Sequence, residues 1–263
     1  MKMRYTQRRD LIIGKVQPTF HINKRHNEFR RRVDLYNRDI NRYQMDLELL
    51  CSLLDIRRGM KILEIGGGVG ITSLELANLG ATCYDLDICP GNAEFVTHIA
   101  AFHRLDIHAL RGDTCHLPFP DNSFDALYSK DTFEHIWDVD LALREQLRVL
   151  KRGGRLCILV GNLLNPRTFS ELFFKKLLAS GGRNGGFKWL FTKSRSYGDF
   201  GIGWHGKDED IKSIWWWKRT LASTPGLRIT ELTTTRAYKH PDRLLYRLLR
   251  PFVGGHVICA VKE

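Results

Sequence analysis

The sequence predicts an α/β fold: a doubly wound, seven-stranded, mostly parallel sheet with an N-terminal helical cap and an insertion before the last strands. Three observations predict it. From Lys61 onward, short apolar runs alternate with helix-length stretches, which implies right-handed crossovers and a parallel sheet covered on both faces. The first of those runs ends in a glycine-rich turn, ILEIGGGVG. And 263 residues, 43% hydrophobic and 27% charged, suffice for one large core rather than a small cross-linked module.

Taken in order, Phe29, Val33, Tyr36, Ile40, Tyr43, Leu47, Leu50 and Leu54 recur at spacings of three and four, the mark of one or two helices, so residues 1–60 read as the cap. Strands are expected at 61–65, 81–86, 106–110, 124–129 and 154–160, with helices at 70–79, 90–102 and 139–150, which makes 61–160 the binding core. Residues 161–207 break the alternation. Two glycine-rich stretches there flank Phe187, Trp189, Phe191, Tyr197, Phe200 and Trp204 without a periodic core, which reads as a lid for an acceptor. A helix at 208–222, a strand at 227–235, an amphipathic helix at 241–250 and a strand at 255–262 complete the sheet within the same domain. In the first of these helices Ile211, Ile214, Trp215, the stem of Lys218 and Leu221 are expected to face inward, since three consecutive tryptophans cannot all do so.

Six cysteines, at 51, 83, 89, 115, 157 and 259, include no Cys-x-x-Cys pair, so reduced thiols and no metal are expected. The apolar run Leu11 to Ile13 is too short for a signal peptide, and no run approaches the roughly 18 apolar residues of a membrane span. A cytoplasmic protein is expected, with peripheral contact to the inner face of a membrane left open. The net charge of +12 is uneven: +7 over 1–60, −5 over 61–160 and +10 over 161–263. Two basic flanks around an acidic middle suit an anionic partner or a solvated surface.

Function enters through the glycine turn. Gly66, Gly68 and Gly70 at a strand's carboxyl end let backbone amides approach a ligand that a Cβ would hold off. The dinucleotide pattern Gly-x-Gly-x-x-Gly fails at Ile71, and no Lys-Ser/Thr follows, which excludes a P-loop. Asp87 follows the second strand, where a carboxylate can accept both hydroxyls of a ribose. Asp113 follows the third, placed for the amine of an adenine. An adenosine without phosphates fits this order, with Asp85 read as a surface or capping carboxylate.

These residues resemble the class I S-adenosylmethionine-dependent methyltransferases, in particular the broad small-molecule group called type 11. Besides ILEIGGGVG, the matching stretches are DLDICP, GDTCHLPFPDNSFDALYS, EHIWD and RVLKRGGRLCILV. The resemblance implies a Rossmann-like fold and S-adenosylmethionine as cofactor. It places Glu64, Gly66 and Gly68 in the cofactor loop, and Asp87 with Ile88 at the ribose. Asp113 and Thr114 fall at the adenine and Ser129 near the methionine moiety. Relatives commonly have Cys or Ser where Gly67 stands.

A hydroxyl acceptor needs a base, for which Asp131, Glu134 and His135 after the fourth strand and His205 in the lid are the candidates. The place of an Asn/Asp/Ser-Pro-Pro-Tyr/Phe loop reads SKDT, and Cys89-Pro90 reverses the Pro-Cys of cytosine C5 chemistry, so nucleic acid is disfavoured. Consecutive Trp215, Trp216 and Trp217 and the interleaved RLLYRLLR at 243–250 suit a sugar or lipid-linked glycan, through ring stacking and a basic contact to a phosphate carrier. The expectation is O-methylation of a small molecule, sugar or lipid-linked glycan. RNA methylation and a non-catalytic cofactor-binding scaffold are the alternatives.

Overall fold

In a computed structural model of the protein, the described residues are 40–89, 91–162, 212–234 and 255–263. The expectations for residues 1–39, the body of the lid with His205, and the 241–250 helix lie outside them. The elements are α1 (Ile40–Leu54), β1 (Lys61–Ile65), α2 (Ile71–Asn78), β2 (Thr82–Asp87), α3 (Asn92–His103), β3 (Ile107–Arg111), β4 (Phe124–Lys130), a 3₁₀ turn (Phe133–His135), α4 (Val139–Val149), β5 (Leu150–Val160), α5 (Ile214–Ala222), β6 (Leu227–Thr234) and β7 (His256–Lys262).

The strands form one seven-stranded sheet in the order β3-β2-β1-β4-β5-β7-β6. The first five run parallel, and β7 lies antiparallel between β5 and β6. A reversal of order between β1 and β4 opens a crevice above their carboxyl ends, where doubly wound sheets bind ligands. Both faces are covered. On one, Ile62, Cys83, Tyr128 and Cys157 pack against Leu50 and Leu54 of α1, Leu74 of α2 and Phe95, Val96 and Ile99 of α3. On the other, Leu63, Leu86, Leu127 and Ile158 pack against Ala142 and Leu143 of α4 and Trp217 and Leu221 of α5. Strands buried on both sides explain the near-continuous apolar runs.

Three expectations are corrected. β5 starts at Leu150, not 154: Leu150 pairs with Phe124, and the chain passes from helix to strand without a connecting loop. α5 starts at Ile214, where the Ser213 hydroxyl accepts from the Trp216 amide at 3.3 Å. That start sets the phase, so Trp217 and Leu221, four residues apart, face the sheet, while Trp215 is 58% exposed.

Candidate active site

The glycine turn carries the site. Gly66, Gly68 and Gly70 have φ of 72°, 61° and 71°, which side-chain-bearing residues seldom adopt. The Gly66 amide donates to Leu86 O at 2.7 Å, and the Gly70 amide to Gly67 O at 2.9 Å. A Cβ on Gly68 would meet nothing within 4 Å, so this stretch of backbone faces open space. A Cβ on Gly66 would strike Thr132, whose hydroxyl donates to Ile65 O and Lys130 O.

Asp87 is buried and oriented by two amides: Gly68 N donates to Oδ2 at 2.8 Å and Cys89 N to Oδ1 at 2.7 Å. A carboxylate accepts about four hydrogen bonds, which leaves capacity for two hydroxyls. Beside it, Ile88 turns its carbonyl to Arg111 Nε at 3.3 Å. Asp113 Oδ1 accepts from the Cys115 amide at 2.9 Å, fixing the turn after β3, and Thr114 Oγ1 accepts from Gln146 Nε2 at 3.1 Å. Ser129, at the end of β4, is buried with its hydroxyl unpartnered. Asp131 is exposed, with a φ of 51°, and the amide of His135 closes the short turn on Thr132 O at 2.9 Å. The described site residues thus gather along one edge of the sheet.

The sequence reading missed Asp85. It is 1% exposed, not a surface carboxylate, and neither oxygen has a hydrogen-bond partner. It stands directly across from Glu64 in the β1–β2 ladder, beneath Gly67. Glu64 is buried too, and accepts from the Ser73 hydroxyl at 2.6 Å. Gly70, the N-cap of α2, has no side chain to cap with, so Glu64 reaches from the neighbouring strand to the first turn of the helix. Burial pushes Glu64 up to about 7, although the Ser73 and Thr72 groups and Lys130 favour its ionised form. Burial, then the charge of Glu64, holds Asp85 well above the usual carboxylate range. The signal for this pair was Gly67, the middle of three consecutive glycines and the one with no positive φ to explain it.

The sequence reading also passed over a polar cluster on the far side of β4. His256 opens β7, paired with Val160 of β5 and Thr234 of β6. The ring of His256, Thr234 Oγ1 and Trp217 Nε1 are buried without formed hydrogen bonds. Burial drives His256 down to about 4, the Lys212 backbone opposing, so the ring is neutral at pH 7.

The helix N-terminus beside a glycine turn is where a dinucleotide would set its pyrophosphate. Here the protein's own acids fill that role, and a phosphate would meet Glu64, Asp85 and Asp87. Ribose hydroxyls and a positively charged group fit these residues. Residues 63–158 match the family described as "Methyltransferase domain". That stretch reads as a methyltransferase domain. A curated relative, the demethylmenaquinone methyltransferase of Corynebacterium glutamicum (strain R), is 37% identical over 105 residues, 40% of this chain and 43% of the relative. The chain thus spans less than half the length of that protein. Among solved structures, a SAM-dependent methyltransferase from Aquifex aeolicus aligns with a TM-score of 0.54 at 17% identity, covering 83% of this chain and 90% of that one. The geranyl diphosphate C-methyltransferase of Streptomyces coelicolor, solved with S-adenosyl-L-homocysteine, aligns with a TM-score of 0.59 at 17% identity, covering 84% and 79%. These likenesses show the methyltransferase domain's fold.

Proposed function

We propose that the protein transfers the methyl group of S-adenosylmethionine to an acceptor whose reacting group is uncharged and is held above the carboxyl ends of β4 and β5. One observation carries this reading: Asp87 is aimed by the Gly68 and Cys89 amides while Glu64 already holds the Ser73 hydroxyl in the first turn of α2. That arrangement favours a nucleoside with free ribose hydroxyls, a positive charge and no phosphate.

When bound, the cofactor supplies a sulfonium methyl open to in-line displacement. Asp87 would accept from the ribose, with Ile88 beside it, and the Gly66 to Gly68 backbone would line the nucleoside. Asp113 accepts from the adenine amine next to Thr114, and Ser129 offers its hydroxyl toward the methionine moiety. Most of the rate then comes from orienting and desolvating the acceptor. The unpartnered His256, Thr234 and Trp217 groups support a neutral acceptor. If the acceptor atom is an oxygen, in a small molecule, a sugar or a lipid-linked glycan, Asp131 and His135 stand after β4 to take its proton, with His205 the third candidate. A lipid quinone ring is the second reading, favoured by the name of the C. glutamicum relative. Residues 1–60 serve as cap and 161–207 as acceptor lid of one domain, in the cytoplasm or at a membrane's inner face. No helix among the described residues is long and apolar enough to cross a membrane.

The test supplies methyl-labelled S-adenosylmethionine with demethylmenaquinone in detergent micelles, with small-molecule and lipid extracts, and with total RNA. Label is expected in a small or lipid-extractable product. Label confined to RNA or protein, or none anywhere, overturns the reading. Asp87→Ala should weaken cofactor binding tenfold or more by calorimetry, through lost charge-assisted hydrogen bonds; unchanged affinity removes the ribose assignment.

A further inference from the structure

Two carboxylates face each other across the β1–β2 ladder, and the surroundings satisfy only one. Glu64 has the Ser73 hydroxyl at 2.6 Å. Asp85 has neither oxygen hydrogen-bonded, and the pair is sealed from water. The packed elements bring little compensating charge. From α2 come only the Thr72 and Ser73 hydroxyls, and from β2 Asp87 and the Cys83 thiol, which burial keeps protonated. From β4 come Lys130, whose charge reaches Glu64, and Tyr128, Glu64's ladder partner. On β3, Ala109 is Asp85's ladder partner, and α3 brings Val96 against Gly70. With the acids outnumbering the one cation, two ionised carboxylates side by side here would be costly.

The loop lies directly over this pair. A Cβ built on Gly67 would sit 2.2 Å from Asp85 Oδ2, and one on Gly70 3.4 Å from the same oxygen. Whatever charge settles on the Gly66 to Gly70 backbone is therefore felt by Asp85 through a thin, water-free layer, where Coulomb interactions are strong.

We infer that Glu64 and Asp85 are a charge-selecting pair: in the free protein they hold one proton between them, and they release it to solvent when the cationic cofactor arrives. The inference rests on the reading of this crevice as the S-adenosylmethionine site. The chemistry is a simple ionisation, COOH giving COO⁻ and a solvent proton. Its consequence is discrimination. S-adenosylmethionine carries the sulfonium charge and S-adenosylhomocysteine, the product, does not, so the doubly ionised pair favours substrate over product and helps turnover. The raised Glu64, at about 7, puts the release in the physiological range. Because binding expels a proton, affinity for S-adenosylmethionine rises with pH through that range, while affinity for the product rises less.

Titration calorimetry in buffers of different ionisation enthalpy at pH 7 tests this. Proton release is expected on binding S-adenosylmethionine, with clearly less for S-adenosylhomocysteine. In Asp85→Asn the release should vanish, and the preference for the charged ligand should fall, on the order of tenfold. Glu64→Gln, which keeps an acceptor for Ser73, should also abolish release. Buffer-independent binding of S-adenosylmethionine to the wild type, or equal release with both ligands, overturns the inference. Carboxyl ¹³C resonances of the free protein give a readout that needs no cofactor: one proton should remain on the pair at pH 6, and full ionisation of both there refutes it. Should neither ligand bind, the proposed function falls, and the resonances still decide whether the pair is protonated.

Discussion

Gly67 and Asp85 are one decision made at two positions. Gly67 lacks the positive φ of its neighbours, so a side chain there meets no backbone objection; the obstacle is the Asp85 carboxylate, 2.2 to 2.5 Å from the would-be Cβ. Gly67→Ala should therefore cost about 1–3 kcal/mol, as overpacking does, read from the urea midpoint. Asp85→Gly, which removes the obstacle, should make the same alanine nearly neutral. Coupling of that size in a double-mutant cycle is the expected result, and additive losses would refute the contact. Gly66→Ala behaves differently, because its φ of 72° strains any side chain even if Thr132 is trimmed. The positive-φ glycines were legible in the sequence, since their alternate spacing after a strand announces a backbone-lined turn. Asp85 was not. In YDLD the acid two residues before Asp87 shares its face of the strand, and only the adjacent strand and helix reveal that Asp85 is sealed there.

At the scale of elements, sequence periodicity placed every described strand within a few residues; β1, β4, the second half of β5 and β7 are buried on both faces and leave apolar runs, while β6 alternates. It misjudged α5, where three tryptophans in a row give periodicity nothing to discriminate. The phase is set instead by the Ser213 cap, a hydrogen-bond event, and it drives Trp217 against Phe133 with ring centroids 5.5 Å apart. Trp217→Ala should cost about 3–5 kcal/mol, while Trp215→Ala should change stability by less than about 0.5 kcal/mol. Equal losses in chemical denaturation would restore the sequence-derived phase. Lys212, just before the Ser213 cap, lies over the Trp216 ring at 5.1 Å, so one face of α5 is core and its rim polar. The loop bearing Asp113 and Thr114 is held by another element. Arg148 of α4 bonds Leu117 O at 2.9 Å, Phe119 O at 2.7 Å and Asp121 at 2.9 Å, with Glu145 completing the clasp. The adenine contacts proposed for that loop thus depend on a helix on the far side of the core.

For the molecule as a whole, two buried titrations of opposite sign sit on different parts of one sheet. Glu64, raised from 4.5 to about 7, binds a proton in the fold that the unfolded chain has lost, so its contribution to stability is present below about 4.5 and disappears as pH rises through 7. Asp85 acts in the same direction. His256, lowered from 6.5 to about 4, is neutral in the fold where the unfolded chain would bind a proton; its contribution is present above 6.5 and is lost as pH falls through 4. The surface acids with lowered values, Asp55 and Glu145, are ionised in both states above pH 5 and add no slope there. Between pH 5 and 6.5 the carboxylates and the histidine oppose each other, and the stability of the wild type should vary little or decline. Replacing both acids, in Glu64→Gln with Asp85→Asn, leaves the histidine alone, so the urea midpoint should climb with pH across this interval. His256→Gln should do the reverse and steepen the decline. A wild type whose midpoint climbs across this interval as steeply as that of the double variant would show that the two acids are ionised in the free fold, and with that the pair beneath the glycine turn would have no proton to surrender.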